Sequence, residues 1–260
     1  MEDLQNKFYS SISTFYSEIF PYNPMQLNFV QACVGKLHNK HILDIGCATG
    51  ELAFQLAKAG SNVIGIDLNE DLLASVVGSS GIQSADSSAR EPEFALPNPK
   101  FQKRNMLELK QDFQGGEFDA VLCFGNTLVH LNSDEEVLEM FEGVKTVVKP
   151  GGQFLIQLLN YDYIVGEQRS ELPLIDTENI RFVRKYKFPE DGEHILFQTD
   201  LEIKAENKTV SNETTLLALK SAKLTELLES VGFKNIQLFA NFKQEAFGGN
   251  HIPLVVSCQN

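Results

Sequence analysis

Two hydrophobic periods alternate along this chain. Leu4, Phe8, Ile12, Phe15 and Ile19 recur at three- and four-residue spacing and predict an amphipathic helix, broken ahead of Pro21 and Pro24. Tyr9 and Tyr16 share one face of it. Gln26 to Leu37 reads as a second helix. Ile42, Leu43 and Ile45 then form a short apolar run, the mark of a buried strand. Leu52, Ala53, Leu56 and Ala57 return to helical spacing, and Gly60 is a good helix stop. Asn62 to Asp67 is a second strand. Asn69 can cap a helix from Glu70 to about Val77. Gly78 to Lys100 is rich in Ser, Pro and Gly and reads as a loop insertion. Phe101 to Arg104 and Phe118 to Phe124 are the third and fourth strands. Ser133 and Glu136 have capping-box spacing ahead of the next helix. Gln153 to Leu159 is the fifth strand, Ala222 to Val231 the last helix, and Phe233 to Ala240 and Ile252 to Cys258 the final strands.

Between residues 179 and 219 the period changes to two. Ile180, Phe182, Tyr186 and Phe188 alternate, as do Ile195 to Ile203, and Val210, Thr214 and Leu216. Turn clusters Pro189 to Glu193 and Ala205 to Lys208 separate them, so three antiparallel strands are expected. A four-residue first turn would set Arg181 opposite Asp200. The chain therefore divides into an N-terminal helical segment (1–40), an α/β core (41–160 and 220–260) and an inserted antiparallel subdomain (161–219). The insert can roof a site or make a dimer contact.

Composition narrows the partners. The 260 residues are 43% apolar with 19 Phe, enough for a substantial core, and the formal net charge is −13. That charge disfavours a nucleic-acid partner, because phosphate binding uses Lys and Arg clusters. Cys33, Cys47, Cys123 and Cys258 have no CxxC spacing, so no metal is expected. No apolar run is long enough for a bilayer and no basic start precedes an apolar run, so a cytoplasmic protein without a membrane partner is expected.

The chemistry concentrates at His41 to Glu51. Strand, glycine loop (Gly46 to Gly50) and helix in that order place backbone N–H groups at a helix N-terminus, which suits a carboxylate or phosphate. Asp67 ends the second strand, where an acid can accept both hydroxyls of a ribose. The loop reads D-x-G-x-x-x-G, with Ala48 where a dinucleotide fingerprint needs its middle glycine. This resembles motif I of the class I S-adenosylmethionine-dependent methyltransferases. Val148 to Gly152 is similar to the family's L-K-P-G-G turn. Gly125 to Leu131 (G-N-T-L-V-H-L) and Asn160 to Ile164 (N-Y-D-Y-I) resemble glycine N-methyltransferase and its bacterial relatives.

The resemblance implies a doubly wound Rossmann-like α/β fold: a seven-stranded sheet with its last strand antiparallel, plus the inserted three-stranded sheet. It implies S-adenosyl-L-methionine as cofactor. The matching cofactor positions are Asp44, Gly46, Cys47, Ala48 and Gly50 in the loop, and Asp67 and Leu68 at the ribose end. Asn105 and Met106 match at the adenine, and Phe124, Gly125, Asn126 and Leu131 after the fourth strand. Tyr16 joins them, because related enzymes close a Tyr-bearing helix over the cofactor. Asn160, Tyr163 and His251 are expected to face a small-molecule substrate. His130 and Tyr161 are the candidates for catalysis; His130 and His251 are the candidate bases, each with a structural hydrogen bond as the alternative, and Tyr161 and Asn160 could orient a substrate.

One departure bears on the acceptor. Glycine N-methyltransferase has an Arg before its N-Y-D, which holds the substrate carboxylate; here Leu159 occupies that position. Glycine is therefore expected to be a poor substrate, unless Arg169, Arg181 or Arg184 supplies the cation. Two other classes stay open from residues alone: a non-catalytic S-adenosylmethionine-binding protein and a nicotinamide-dependent oxidoreductase.

Overall fold

The computed structural model describes residues 2–79, 98–190 and 192–260. The expected loop at Gly78 to Lys100 lies almost wholly outside the described residues. The helices are α1 (Glu2–Ile12), α2 (Tyr16–Ile19), α3 (Met25–Val34), α4 (Glu51–Lys58), α5 (Glu70–Ser79), α6 (Leu109–Asp112), α7 (Asp134–Val147), α8 (Tyr161–Gly166) and α9 (Ser221–Val231). A 3-10 turn, Ser13–Phe15, joins α1 to α2, and another, Thr127–His130, follows the fourth strand.

Seven strands form the main sheet: β1 (His41–Ile45), β2 (Asn62–Asp67), β3 (Lys100–Lys103), β4 (Phe118–Cys123), β5 (Val148–Leu159), and later β10 (Lys234–Phe239) and β11 (Pro253–Gln259). Their order is β10-β11-β5-β4-β1-β2-β3. The five strands from β1 to β5 run parallel, and β11 is antiparallel to both β5 and β10. Parallel strands covered on both faces should be apolar throughout. Accordingly Ile42, Leu43, Ile45, Val121, Leu122, Phe154 and Ile156 are all fully buried or nearly so. Order reversal between β1 and β4 makes a switch point at the carboxyl ends, the place where such sheets hold ligands.

The inserted sheet has four strands: β6 (Ile175–Asp176), β7 (Ile180–Lys187), β8 (His194–Ile203) and β9 (Lys208–Leu217), in that order. The extra strand, β6, is two residues long, too short to show a period. The Arg181–Asp200 pairing is corrected as well. Lys187 pairs with Leu196, so the turn is longer than four residues, and Arg181 sits opposite Glu202. An even-numbered slip leaves each side chain on its expected face.

The inner face of this sheet meets two partners. Toward one end, Ile180, Phe182 and Leu201 pack with Phe8, Ile12 and Ile19 of the N-terminal helices. Toward the other, Tyr186, Ile195 and Leu216 join the main core with Leu128 and Val129. α1 is thus held between the insert and the nucleotide-fold core. Asn69 anchors its other side, donating to the Asn6 carbonyl and to Ser10 Oγ, both at 3.1 Å.

Candidate active site

A pocket opens at the carboxyl ends of β1, β2 and β4. Ile45, Gly46, Ala48, Ile66, Asp67 and Leu68 form its floor, and Met106, Gly125, Thr127 and His130 its far wall. Gln5, Asn6, Tyr9 and Tyr16 close it from the N-terminal helices.

The loop geometry follows from its residues. Gly46 has φ +70°, and a Cβ there would lie 2.4 Å from Thr127 Oγ1. Only glycine lets β1 turn this close to the 127–130 segment. The N–H groups of Gly46 and Cys47 both donate to the Ile66 carbonyl, at 2.8 and 3.0 Å. The Ala48 N–H donates to Asp67 Oδ2 at 2.9 Å. Ala48 adopts φ +48° to do so, a left-handed conformation that costs an alanine about 1–2 kcal/mol. With the Gly50 N–H on the Cys47 carbonyl at 2.8 Å, four of the loop's five N–H groups are committed inside the protein. The expected anion cradle is correspondingly reduced.

The electrostatics of the pocket are those of a cation site. Asp44 is 4% exposed, and its carboxylate makes no hydrogen bond among the described residues. Burial, and then the charge of Asp67, push its pKa up to about 7. Burial also raises Asp67, against the lowering effect of the N–H groups of Asn69, Ala48 and Leu68. Each Asp67 oxygen accepts one backbone N–H, Oδ2 from Ala48 and Oδ1 from Asn69, and keeps lone pairs for a ligand. Burial and these acids raise the phenol of Tyr16 and hold the Cys47 thiol protonated. A buried acid, Asp44, beside a half-buried one, Asp67, with the nearest cation, Arg104, already paired to Asp112, favours a ligand that brings positive charge. A sulfonium with an α-ammonium group and ribose hydroxyls meets that requirement.

At the opposite wall, Tyr9 Oη lies 2.8 Å from His130 Nε2. Burial lowers the His130 pKa to about 4, so the ring is neutral at physiological pH. Its Nδ1 is shut away from solvent and has no partner among the described residues.

The structure brings together Tyr16, Gly46, Ala48, Asp67, Leu68, Met106, Gly125 and His130 of the positions singled out in the sequence. Asp44 and Cys47 lie behind them, close enough to share their electrostatics. Gly50, Phe124, Asn126 and Leu131 support the walls without lining the pocket. Asn105 turns its side-chain oxygen onto the Leu107 N–H at 3.0 Å, while Arg104 lines the pocket instead.

The remaining substrate and catalytic candidates are held elsewhere. Tyr161 is fully buried and exchanges hydrogen bonds with the Asn126 side chain at 3.1 and 3.3 Å. Asn160 caps α8 by accepting from the Tyr163 N–H and donates to the His251 carbonyl. The Tyr163 hydroxyl accepts from Arg169 at 2.5 Å. His251 Nδ1 lies 2.7 Å from the Pro253 carbonyl, and its ring packs on Phe247. None of the four lines the pocket. Tyr9, Asn69, Arg104 and Thr127 do, and reading the sequence for motifs passes over them. For Tyr9 the one available signal is the face it shares with Tyr16.

A Rossmann-like sheet of this order, with a glycine loop and a strand-end acid, is the architecture of the S-adenosylmethionine-dependent methyltransferases. Residues 36–232 match the family described as a methyltransferase domain, and the chain belongs to that family. It is 31% identical over 138 residues to the ubiquinone biosynthesis O-methyltransferase of Acinetobacter baumannii (strain AYE), 53% of this chain and 52% of that protein. It is 31% identical over 135 residues to glycine N-methyltransferase of Mus musculus, 50% of this chain and 44% of that protein. The chain spans about half the length of the curated relatives it matches. Among solved structures, an S-adenosylmethionine-dependent methyltransferase from Clostridium acetobutylicum ATCC 824 superposes with TM-score 0.74 at 16% identity, covering 98% of both chains. The CcbJ methyltransferase from Streptomyces caelestis gives 0.73 at 20% identity, covering 95% of both. Family membership sets aside the oxidoreductase reading.

Proposed function

We propose that this enzyme methylates a nitrogen or oxygen of a small-molecule acceptor, with Tyr9 and His130 at the acceptor end of the pocket. The observation that carries this reading is the Tyr9–His130 pair: a neutral imidazole with one nitrogen engaged and the other without a partner among the described residues, in one pocket with Asp67 of the acid pair Asp44 and Asp67. When bound, S-adenosylmethionine supplies a methyl carbon that the acceptor lone pair attacks, the electron pair of the broken C–S bond staying on sulfur. Asp44 and Asp67 balance the cofactor's charge and hold its ribose. The far wall fixes the acceptor in line, and orientation of this kind supplies roughly 7–11 kcal/mol in favourable cases. His130 takes the proton released by the acceptor. A pKa near 4 keeps the ring unprotonated but makes it a weak base, so it relays the proton onward rather than keeping it.

The two relatives named above methylate, by their names, an oxygen and a nitrogen, so the overlap leaves both acceptor atoms in play. The N-terminal helices act as a lid over the cofactor, and the insert roofs the acceptor side. Its outer face is the surface on which a homodimer would form. No helix among the described residues is long and apolar enough to cross a membrane, and the four cysteines are free, which fits a reducing, cytoplasmic setting. The test is methyl transfer from labelled cofactor across a panel of amines, phenols and carboxylates. Transfer to a small amine or phenol that is lost in His130→Asn supports the reading; transfer unaffected by that change removes His130 from the reaction.

A further inference from the structure

The inserted sheet carries a polar row across its otherwise apolar inner face. Arg184 of β7 pairs with Thr199 of β8, and Thr199 pairs with Asn212 of β9. The row above it, Phe182 and Leu201, packs on the N-terminal helices. The row below, Tyr186 and Phe197, packs on the core. The polar row therefore runs along the seam between α1 and the core, the seam that Tyr9 and His130 span from opposite sides.

Two atoms of this row have no partner among the described residues although both are buried: Arg184 Nε and Thr199 Oγ1. Thr199 is 3% exposed. Asn212 is satisfied by donating to Ser11 Oγ at 3.0 Å. Arg184 makes one contact of its own, to the Pro173 carbonyl at 2.8 Å, and stacks 5.8 Å from the Phe182 ring. It has no carboxylate partner among the described residues, in a chain whose formal net charge is −13. Arg184 is half-buried: its terminal nitrogen reaches the Pro173 carbonyl at the surface, while the buried Nε is left for a ligand to complete. The row reaches the pocket's walls by contact: Asn212 bonds Ser11 of α1, the helix that carries Tyr9, and Tyr186, Ile195 and Leu216 pack with Leu128 and Val129 beside His130.

We propose that Arg184 and Thr199 hold a carboxylate of the methyl acceptor; this rests on the acceptor site proposed above. The cation that Leu159 lacks is supplied from the insert. One guanidinium balances one negative charge, and Arg181 and Lys185 point from β7 to the opposite, exposed face. The group held is therefore a carboxylate and not a dianionic phosphate. Among the described residues the two exposed large apolar side chains, Phe20 at 36% and Leu174 at 50%, flank this row: Phe20 packs on Phe182, and Leu174 follows Pro173. The body of the acceptor is accordingly apolar or aromatic.

The experiment titrates the full chain, saturated with S-adenosylhomocysteine, with aliphatic and aromatic monocarboxylates and their methyl esters by calorimetry. Acids should bind at least tenfold more tightly than their esters, by the rough value of one charged hydrogen-bonded pair. In Arg184→Gln that preference should vanish while affinity for S-adenosylhomocysteine stays unchanged. Thr199→Val removes an orphan hydroxyl with its shape retained. It should raise the Tm of the free protein and still weaken acid binding severalfold, a combination that a merely structural threonine would not give. Equal affinity for acids and esters in the wild type, or a preference unaltered in both variants, overturns the proposal. Failure to bind S-adenosylhomocysteine at all would instead count against the cofactor site.

Discussion

Tyr9 on the first helix and His130 beyond β4 meet at 2.8 Å across the mouth of the cofactor pocket, 121 positions apart in sequence. The N-terminal helix thereby contributes a side chain to the wall of the pocket. Tyr9→Phe removes the hydrogen bond and keeps the ring. Turnover should fall about tenfold, since a neutral hydrogen bond contributes roughly 0.5–1.5 kcal/mol. His130→Asn should cost about a hundredfold or more if the ring accepts a proton. The double variant should cost less than the product of the two, because both changes break one contact. Affinity for S-adenosylhomocysteine should change little in any of them. Strictly multiplicative losses would show that the two residues act separately.

His130 also makes a prediction about stability. Its folded pKa of about 4 lies below the ordinary 6.5, so the unfolded chain binds a proton more readily. Stability is intact above pH 6.5 and declines as pH falls toward 4. His130→Asn should flatten the Tm profile in that window. An identical profile would place the titrating group elsewhere.

Asp44 behaves with the opposite sign. Its pKa is raised from 3.8 to about 7, so the native state holds its proton more tightly than the unfolded chain. The free protein should therefore lose stability as pH rises from about 4 through 7, by at most about 4 kcal/mol. Ionised Asp44 is also what attracts a cation, so S-adenosylmethionine should bind more tightly at pH 8 than at pH 6. Asp44→Asn should abolish both trends. Titration calorimetry of that variant showing the wild-type pH dependence would rule Asp44 out as their source. Asp67→Ala tests the neighbouring acid: loss of a charged acceptor costs about 1.5–3 kcal/mol, or at least tenfold in affinity for S-adenosylhomocysteine.

Gly46 separates loop geometry from ligand contact. A side chain there meets Thr127 before it meets any ligand, and its φ of +70° is unfavourable besides. Gly46→Ala should lower Tm as well as cofactor affinity. Adding Thr127→Gly removes all three atoms the new methyl would strike, which lie 2.4, 2.5 and 2.9 Å from it. The double variant should regain part of the lost Tm. No recovery would mean that backbone strain alone sets the cost.

The sequence makes the core strands legible because they are buried on both faces and bounded by strong stops. Gly60 and Gly232 end α4 and α9 at φ +93° and +91°, and Ser133 accepts from the Glu136 N–H as its spacing suggests. What the sequence hides is where polar groups point once the chain is folded. The N-Y-D segment looks like a set of ligand groups. In the structure Asn160 caps α8, the Tyr161 hydroxyl bonds Asn126, and Asp162 accepts from the Ser221 N–H at 2.9 Å. Arg184 shows the converse. It sits in an ordinary alternating strand, and only the register against β8 and the packing of α1 reveal that it lacks a partner. Contacts of this kind depend on tertiary placement, which local periodicity does not encode.

The N-terminal helices should behave as a lid, and the insert should respond with them. Gln5, Asn6, Tyr9 and Tyr16 face the cofactor pocket directly. On the far side, Phe8, Ile12 and Ile19 are buried against Ile180, Phe182 and Leu201 of the inserted sheet. Glu18 reinforces this contact, accepting from Thr177 Oγ1 and from Asn179 Nδ2. A ligand that fills the pocket therefore stabilises the closed position of the helices, and through them the edge of the insert. Binding of S-adenosylhomocysteine should slow amide exchange across residues 4–20 and, to a smaller degree, across residues 175–182. The main-sheet strands should change little, because their exchange reports global opening. Truncating Phe8 to Ala uncouples the two: ligand should still slow exchange at the pocket-facing turns but no longer in the insert. Exchange that is the same with and without ligand across residues 4–20 would mean that these helices are a fixed wall. Slowing confined to the helices would mean that the insert does not follow them.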